Sequence, residues 1–157
     1  MTDAPAPVPL PDSQDTPSRA RVRFGLTLTL IGFFIFIIGT KPSWFGWDNS
    51  PVVGFIQIAV FIIGLGIVCL GGYISLLALW KGSVRSIAAD IGMRLVATGY
   101  VICVFAGMAD VFGMGTQDMA DAPFFGPLQA RGVVIGQIVV AVGFMLMIPY
   151  GSQKQPE

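Results

Sequence analysis

Residues 53–80, VGFIQIAVFIIGLGIVCLGGYISLLALW, run for 28 positions without a charged side chain. A helix needs roughly 20 apolar residues to cross about 30 Å of hydrocarbon, where only helices and closed barrels satisfy their backbone. Three further stretches meet that requirement, residues 24–40, 94–114 and 132–150, with 17, 21 and 19 residues. The pattern predicts an all-α membrane protein of four antiparallel transmembrane helices with short connections. At about 1.5 Å per residue the 53–80 stretch would reach ~42 Å. It is therefore expected to tilt, to bend near Gly71 and Gly72, or to project past the bilayer.

Composition agrees. Of 157 residues, 54% are hydrophobic and only 11% are charged, too few charges for the surface of a soluble domain of this size. Net charge is zero, so no attraction to nucleic acid is implied. The placement of the charges is informative. Arg19, Arg21 and Arg23 precede the first stretch, Lys81, Arg85 and Arg94 lie between the second and third, and Lys154 follows the fourth. Lys41 and Arg131 alone lie on the opposite side. Seven against two is a positive-inside bias, which puts both termini in the cytoplasm of a cell with a bacterial-type inner membrane.

The sequence divides into a tail over residues 1–23, a membrane domain over 24–150 and a short tail over 151–157. The first 18 residues hold five prolines and three aspartates, a composition that predicts a disordered cytoplasmic segment. No early positive charge or small-residue cleavage site marks it as a signal peptide. The outward segments carry interfacial aromatics, Trp44, Phe45 and Trp47 in one and Phe124 and Phe125 in the other. The inward segment 81–92 spaces Val84, Ile87, Ala88 and Ile91 helically, so it forms either a helix on the membrane surface or an extension of a span. The strings VVGFIQIAVFIIG (52–64) and VVIGQIVVAVG (133–143) match loosely around Gln57 and Gln137. The match suggests two repeated helical hairpins, with chance similarity of Val/Ile/Gly strings as the competing reading.

Chemistry is scarce. Histidine, the commonest general base and metal ligand, is absent, and the one glutamate is Glu157. Cys69 and Cys103 lie at different depths within spans, about 25 Å and 16 Å from the outer ends, which argues against a disulfide. Met108, Met114 and Met119 share no helix face for copper, and GMADVFGMG lacks the lysine of a phosphate loop. No cofactor, no metal and no catalytic residue are expected. Small four-helix multidrug exporters carry a glutamate in the first span, and disulfide-oxidising four-helix proteins carry outward cysteine pairs; this sequence has neither.

Polar groups within a span are costly and so mark candidate sites. Asp110, Gln57 and Gln137 are expected near the outer ends of their helices, with Arg131 above them, as a polar site. The competing reading is helix-to-helix hydrogen bonding. Small residues, among them Gly132, Gly136, Gly99 and Gly107, are expected to pack helices closely. Together these features predict a non-enzymatic membrane protein, an accessory, assembly or scaffold subunit. The alternative is a small oligomeric transporter or channel around Asp110. The expected partners are the lipid bilayer and either a larger membrane protein or further copies of the chain.

Orientation is testable by single cysteines at Ser43, Asp118 and Ser152 after both native cysteines are replaced. A membrane-impermeant maleimide should label the first two in intact cells and leave the third unlabelled until the cells are opened. Labelling at Ser152 from outside would reverse the topology.

Overall fold

The computed structural model describes residues 19–46, 54–80, 85–114 and 125–149. Four helices account for most of them: α1 (Arg19–Thr40), α2 (Phe55–Leu79), α3 (Ile87–Gly107) and α4 (Pro127–Met147). A short 3-10 turn, Pro42–Phe45, follows α1, and no strand occurs among the described residues. Each helix is long and apolar enough to span a membrane, with mean hydropathies of 2.1, 2.4, 1.6 and 1.9. Residues 1–18, 47–53, 81–84, 115–124 and 150–157, and with them the readings of Trp47, Lys81, Val84, Asp118, Met119 and Phe124, lie outside the described residues.

The helix limits differ from the hydropathy limits where capping chemistry overrides them. α1 starts at Arg19 rather than at residue 24, so three arginines occupy its first turns, where long stems lie along apolar surface and heads reach water. α3 starts at Ile87 rather than at 94. Ser86 is its N-cap, its hydroxyl accepting from the Ala89 N–H at 3.2 Å, and Asp90 complements the helix dipole in the first turn. Residues 87–92 are thus an extension of the third span. α3 also stops at Gly107, seven residues short of 114. The chain leaves it through turns over 108–113, with the Gly113 N–H donating to the Asp110 carbonyl and Gly113 at φ 72°. α4 starts at Pro127 rather than at 132, with proline in the first turn and the Gly126 N–H donating to Gln129 Oε1 at 3.0 Å. α2 runs unbroken through Gly71 and Gly72, both of which serve as contact points.

Helix pairing is decided by glycine. The hydrophobic effect does not drive helices together in lipid, so association depends on close packing and on polar contacts. Gly25, Gly32 and Gly39 are the buried residues of α1, spaced by seven. A Cβ on Gly25 would lie 2.6 Å from the Ser75 nitrogen and 2.8 Å from the Gly71 oxygen; one on Gly32 would lie 2.7 Å from the Val68 nitrogen. Gly39 meets the Phe61 backbone, and Gly64 meets the Phe36 backbone. The start of α1 therefore lies beside the end of α2, and the reverse.

α3 and α4 repeat the device. A Cβ on Gly92 would lie 2.5 Å from the Gly143 oxygen, and one on Gly143 would lie 2.7 Å from the Gly92 oxygen. Gly99 and Gly136 face each other in the same way, at 2.6 and 2.7 Å. Backbones this close bring Cα–H groups onto facing carbonyls, contacts worth about 0.5–1 kcal/mol each.

The two tight pairs meet through α2. Ile58 and Ile62 face Gly107, Phe144 packs on Gly72, and the Tyr100 ring packs on Gly66. Phe61, Ile62, Leu65 and Cys69 of α2 form the core with Val96 and Cys103 of α3 and Val133, Val140 and Met147 of α4. At the opposite end from Gly107, the Trp80 indole N–H donates to the Met147 carbonyl at 2.7 Å, occupying an acceptor that the end of α4 leaves without an intrahelical donor. Both cysteines are buried free thiols.

This packing makes two glycines unequal. Gly99→Ala drives a methyl into the α4 backbone, and it should cost about 1–3 kcal/mol. Gly107→Ala meets only the tip of Ile62, at 3.1 Å, which can turn away. It should remain within about 1 kcal/mol of wild type. Unfolding in mixed micelles with rising SDS measures both, and equal losses would contradict the seam.

Candidate functional site

One end of the bundle, the one expected to face outward, collects the end of α1, the start of α2, the end of α3 and the start of α4. Gly107 packs at Ile58, and Gly132 packs at Ala106, which sets these four points at one level. Gln57 is the third residue of α2 and is half-buried. Asp110 is half-buried in the turns three residues beyond α3, so the carboxylate expected within a span stands past the helix end. Arg131 is the fifth residue of α4 and is exposed. Gln137 follows Gly136, which packs against Cys103, about one turn deeper than the level of Gly132.

The fold thus draws Gln57, Asp110 and Arg131 to one end and sets Gln137 below them. No hydrogen bond or ion pair joins the side chains of any two of the four among the described residues. Four hydroxyls of the spans are engaged within their own helices. Thr27 donates to the Arg23 carbonyl, Thr29 to that of Gly25 and Thr40 to that of Phe36, at 2.9, 2.9 and 2.8 Å. Ser75 donates to Gly72 at 3.1 Å, and the Cys103 thiol faces the Val133 carbonyl at 3.4 Å. Such back-bonding to the preceding turn hides a hydroxyl from lipid without a partner helix. All buried side chains of the described residues are apolar.

Around this end the surface is aromatic. Phe45 meets Phe34 edge-on with centroids 5.9 Å apart, and the Lys41 ammonium lies 5.5 Å from the centre of the Trp44 ring. Trp44 is 71% exposed, as befits a ring at the headgroup level. Among the described residues no three His, Cys, Asp or Glu side chains converge as metal ligands. Met108 is half-buried in the turns and Met114 is exposed.

Two structural features lay beyond the expected set. Gly25, Gly32 and Gly39 form the α1 seam, and their seven-residue recurrence in FGLTLTLIGFFIFIIGT was a usable signal. The Trp80–Met147 bond had none, because the partners stand 67 residues apart. No family model, no curated protein and no solved structure matches this chain.

The bonding pattern separates three side chains by their energetic weight. Gln57→Ala and Gln137→Ala should each shift unfolding by less than about 0.6 kcal/mol, the mean for a hydrogen bond between spans. Trp80→Phe removes a bond that is made and should cost about 0.5–1.5 kcal/mol. A larger loss at Gln137 than at Trp80 would reveal a partnered glutamine.

Proposed function

We propose that this chain, whose four apolar helices of spanning length are compatible with an integral, multi-pass membrane protein, is non-enzymatic and works as an accessory, assembly or scaffold subunit of a membrane complex. The observation that carries this reading is the packing. Each hairpin is sealed internally by glycine backbone contact, the core between hairpins is apolar, and large apolar faces on both hairpins point outward. Phe24, Leu30, Phe33 and Phe34 on α1, with Val101 and Phe105 on α3 and Ile135 and Ile138 on α4, make up those faces. Lipid or the helices of a larger partner would cover them, and sealed seams would keep each hairpin rigid while it does so.

The same reading takes the four spans as antiparallel and as two related hairpins, in an inner membrane with both termini cytoplasmic. The seams support the repeat: Gly25 and Gly32 with Gly64 and Gly71 resemble Gly92 and Gly99 with Gly136 and Gly143 in their spacing of seven. The seams align the hairpins in a different register from the glutamine strings, since Gln57 is third in α2 and Gln137 eleventh in α4.

A transporter or channel is the alternative, favoured by Asp110 and Gln57 standing half-buried at one end. Asp110→Asn separates the two. A scaffold should keep its expression level and its co-purifying partner, and reconstituted vesicles should pass cations no faster with the wild type than with the variant. Cation flux in the wild type that Asp110→Asn abolishes would replace the scaffold reading with the transport one.

A further inference from the structure

At the end of the bundle that carries the arginines, α1 and α2 frame an open groove of about 470 Å³. Its floor is the last two turns of α2, where Ile74 and Leu77 are apolar. Arg21 of α1 and Arg85, just before α3, line the groove together with Tyr73 and Trp80. We propose that this groove binds the phosphodiester headgroup of an anionic phospholipid from the cytoplasmic leaflet.

Charge argues for the anion. Two arginines line one space, and planar guanidinium forks, with five donors each, match phosphate oxygens. The first turns of α1 and α3 lie at this end together with the last turns of α2 and α4, so the helix dipoles offset one another and the arginines supply the charge. The Trp80 indole N–H is committed to the Met147 carbonyl.

Shape argues for a lipid over a soluble phosphate ester. The arginines stand over an apolar floor, which suits a molecule with a charged head and a hydrocarbon body. The groove lies at the helix ends, where Trp80 and Tyr73 match the aromatic belt of a membrane interface. Basic pockets between helices on the cytoplasmic side are a recurrent setting for anionic headgroups. The inference rests on the membrane orientation proposed above and is independent of the scaffold role.

The full chain is reconstituted in phosphatidylcholine nanodiscs with or without a minority of phosphatidylglycerol, then released into mild detergent for native mass spectrometry. One retained phosphatidylglycerol per chain is expected, enriched over its share of the bilayer. Enrichment no greater than that share would overturn the proposal with no variant needed. Arg21→Gln combined with Arg85→Gln should weaken retention about 30-fold. Arg19→Gln combined with Arg23→Gln removes the same charge outside the groove lining and should change it by no more than about threefold. Equal loss in both double variants would mean a diffuse basic belt and would sink the groove. Soluble glycerol phosphate should not displace the lipid; displacement would make the ligand a free phosphate ester. Loss of the lipid with partner co-purification intact would leave the scaffold reading standing on its own.

Discussion

Backbone-to-backbone approach at the glycine seams is the constraint on which the rest of this structure depends. Lipid tails are as apolar as leucine, so helices in a bilayer gain nothing by hiding apolar surface from one another. They gain only what close contact supplies, and contact is closest where no Cβ intervenes. Gly25 against Gly71, Gly92 against Gly143 and Gly99 against Gly136 are such points. A spacing of seven returns a residue to nearly the same helix face, so each seam stays in line over several turns. That continuity joins α1 to α2 and α3 to α4 before any larger side chain takes part.

The seams also explain why the hairpins differ from their junction. Within each hairpin backbone meets backbone, with side chains such as Phe36 and Phe61 packed beside the seam. Between hairpins the contact is made by side chains: Ile58 and Ile62 at Gly107, Tyr100 over Gly66, Phe144 on Gly72 and Trp80 at Met147. α2 packs against all three other helices, which accounts for its being the most buried of the four. A two-unit architecture of this kind leaves polar chemistry to the ends. Asp110 sits in the turns beyond α3, Gln57 in the first turn of α2, and the arginines around the opposite mouth.

Much of the fold was legible along the chain. The four apolar stretches were found, because hydropathy is a sum over neighbouring residues. Their limits were not, because a helix in this chain begins where a cap allows it. Ser86 and Pro127 set two starts earlier in the chain, and the turns over 108–113, closed by Gly113, cut α3 short of Asp110. The candidate polar site was legible only as a list. Gln57, Asp110 and Arg131 do share an end, but Gln137 lies deeper, since residue spacing within one helix says nothing about the register between two. Gly99 and Gly136 were expected at packing positions and occupy a seam, whereas the equivalent role of Gly25, Gly32 and Gly39 was overlooked despite its regular period.

The number of spans and the asymmetry of their charged ends were determined by the sequence alone, since hydrophobic length and the count of lysine and arginine are properties of the chain in one dimension. Which helix seals against which, and that Arg21 and Arg85 flank one groove, were decided only by tertiary structure. The physical reason is that these depend on distances between backbones far apart in sequence. Such distances follow from where a missing Cβ lets one helix settle on another.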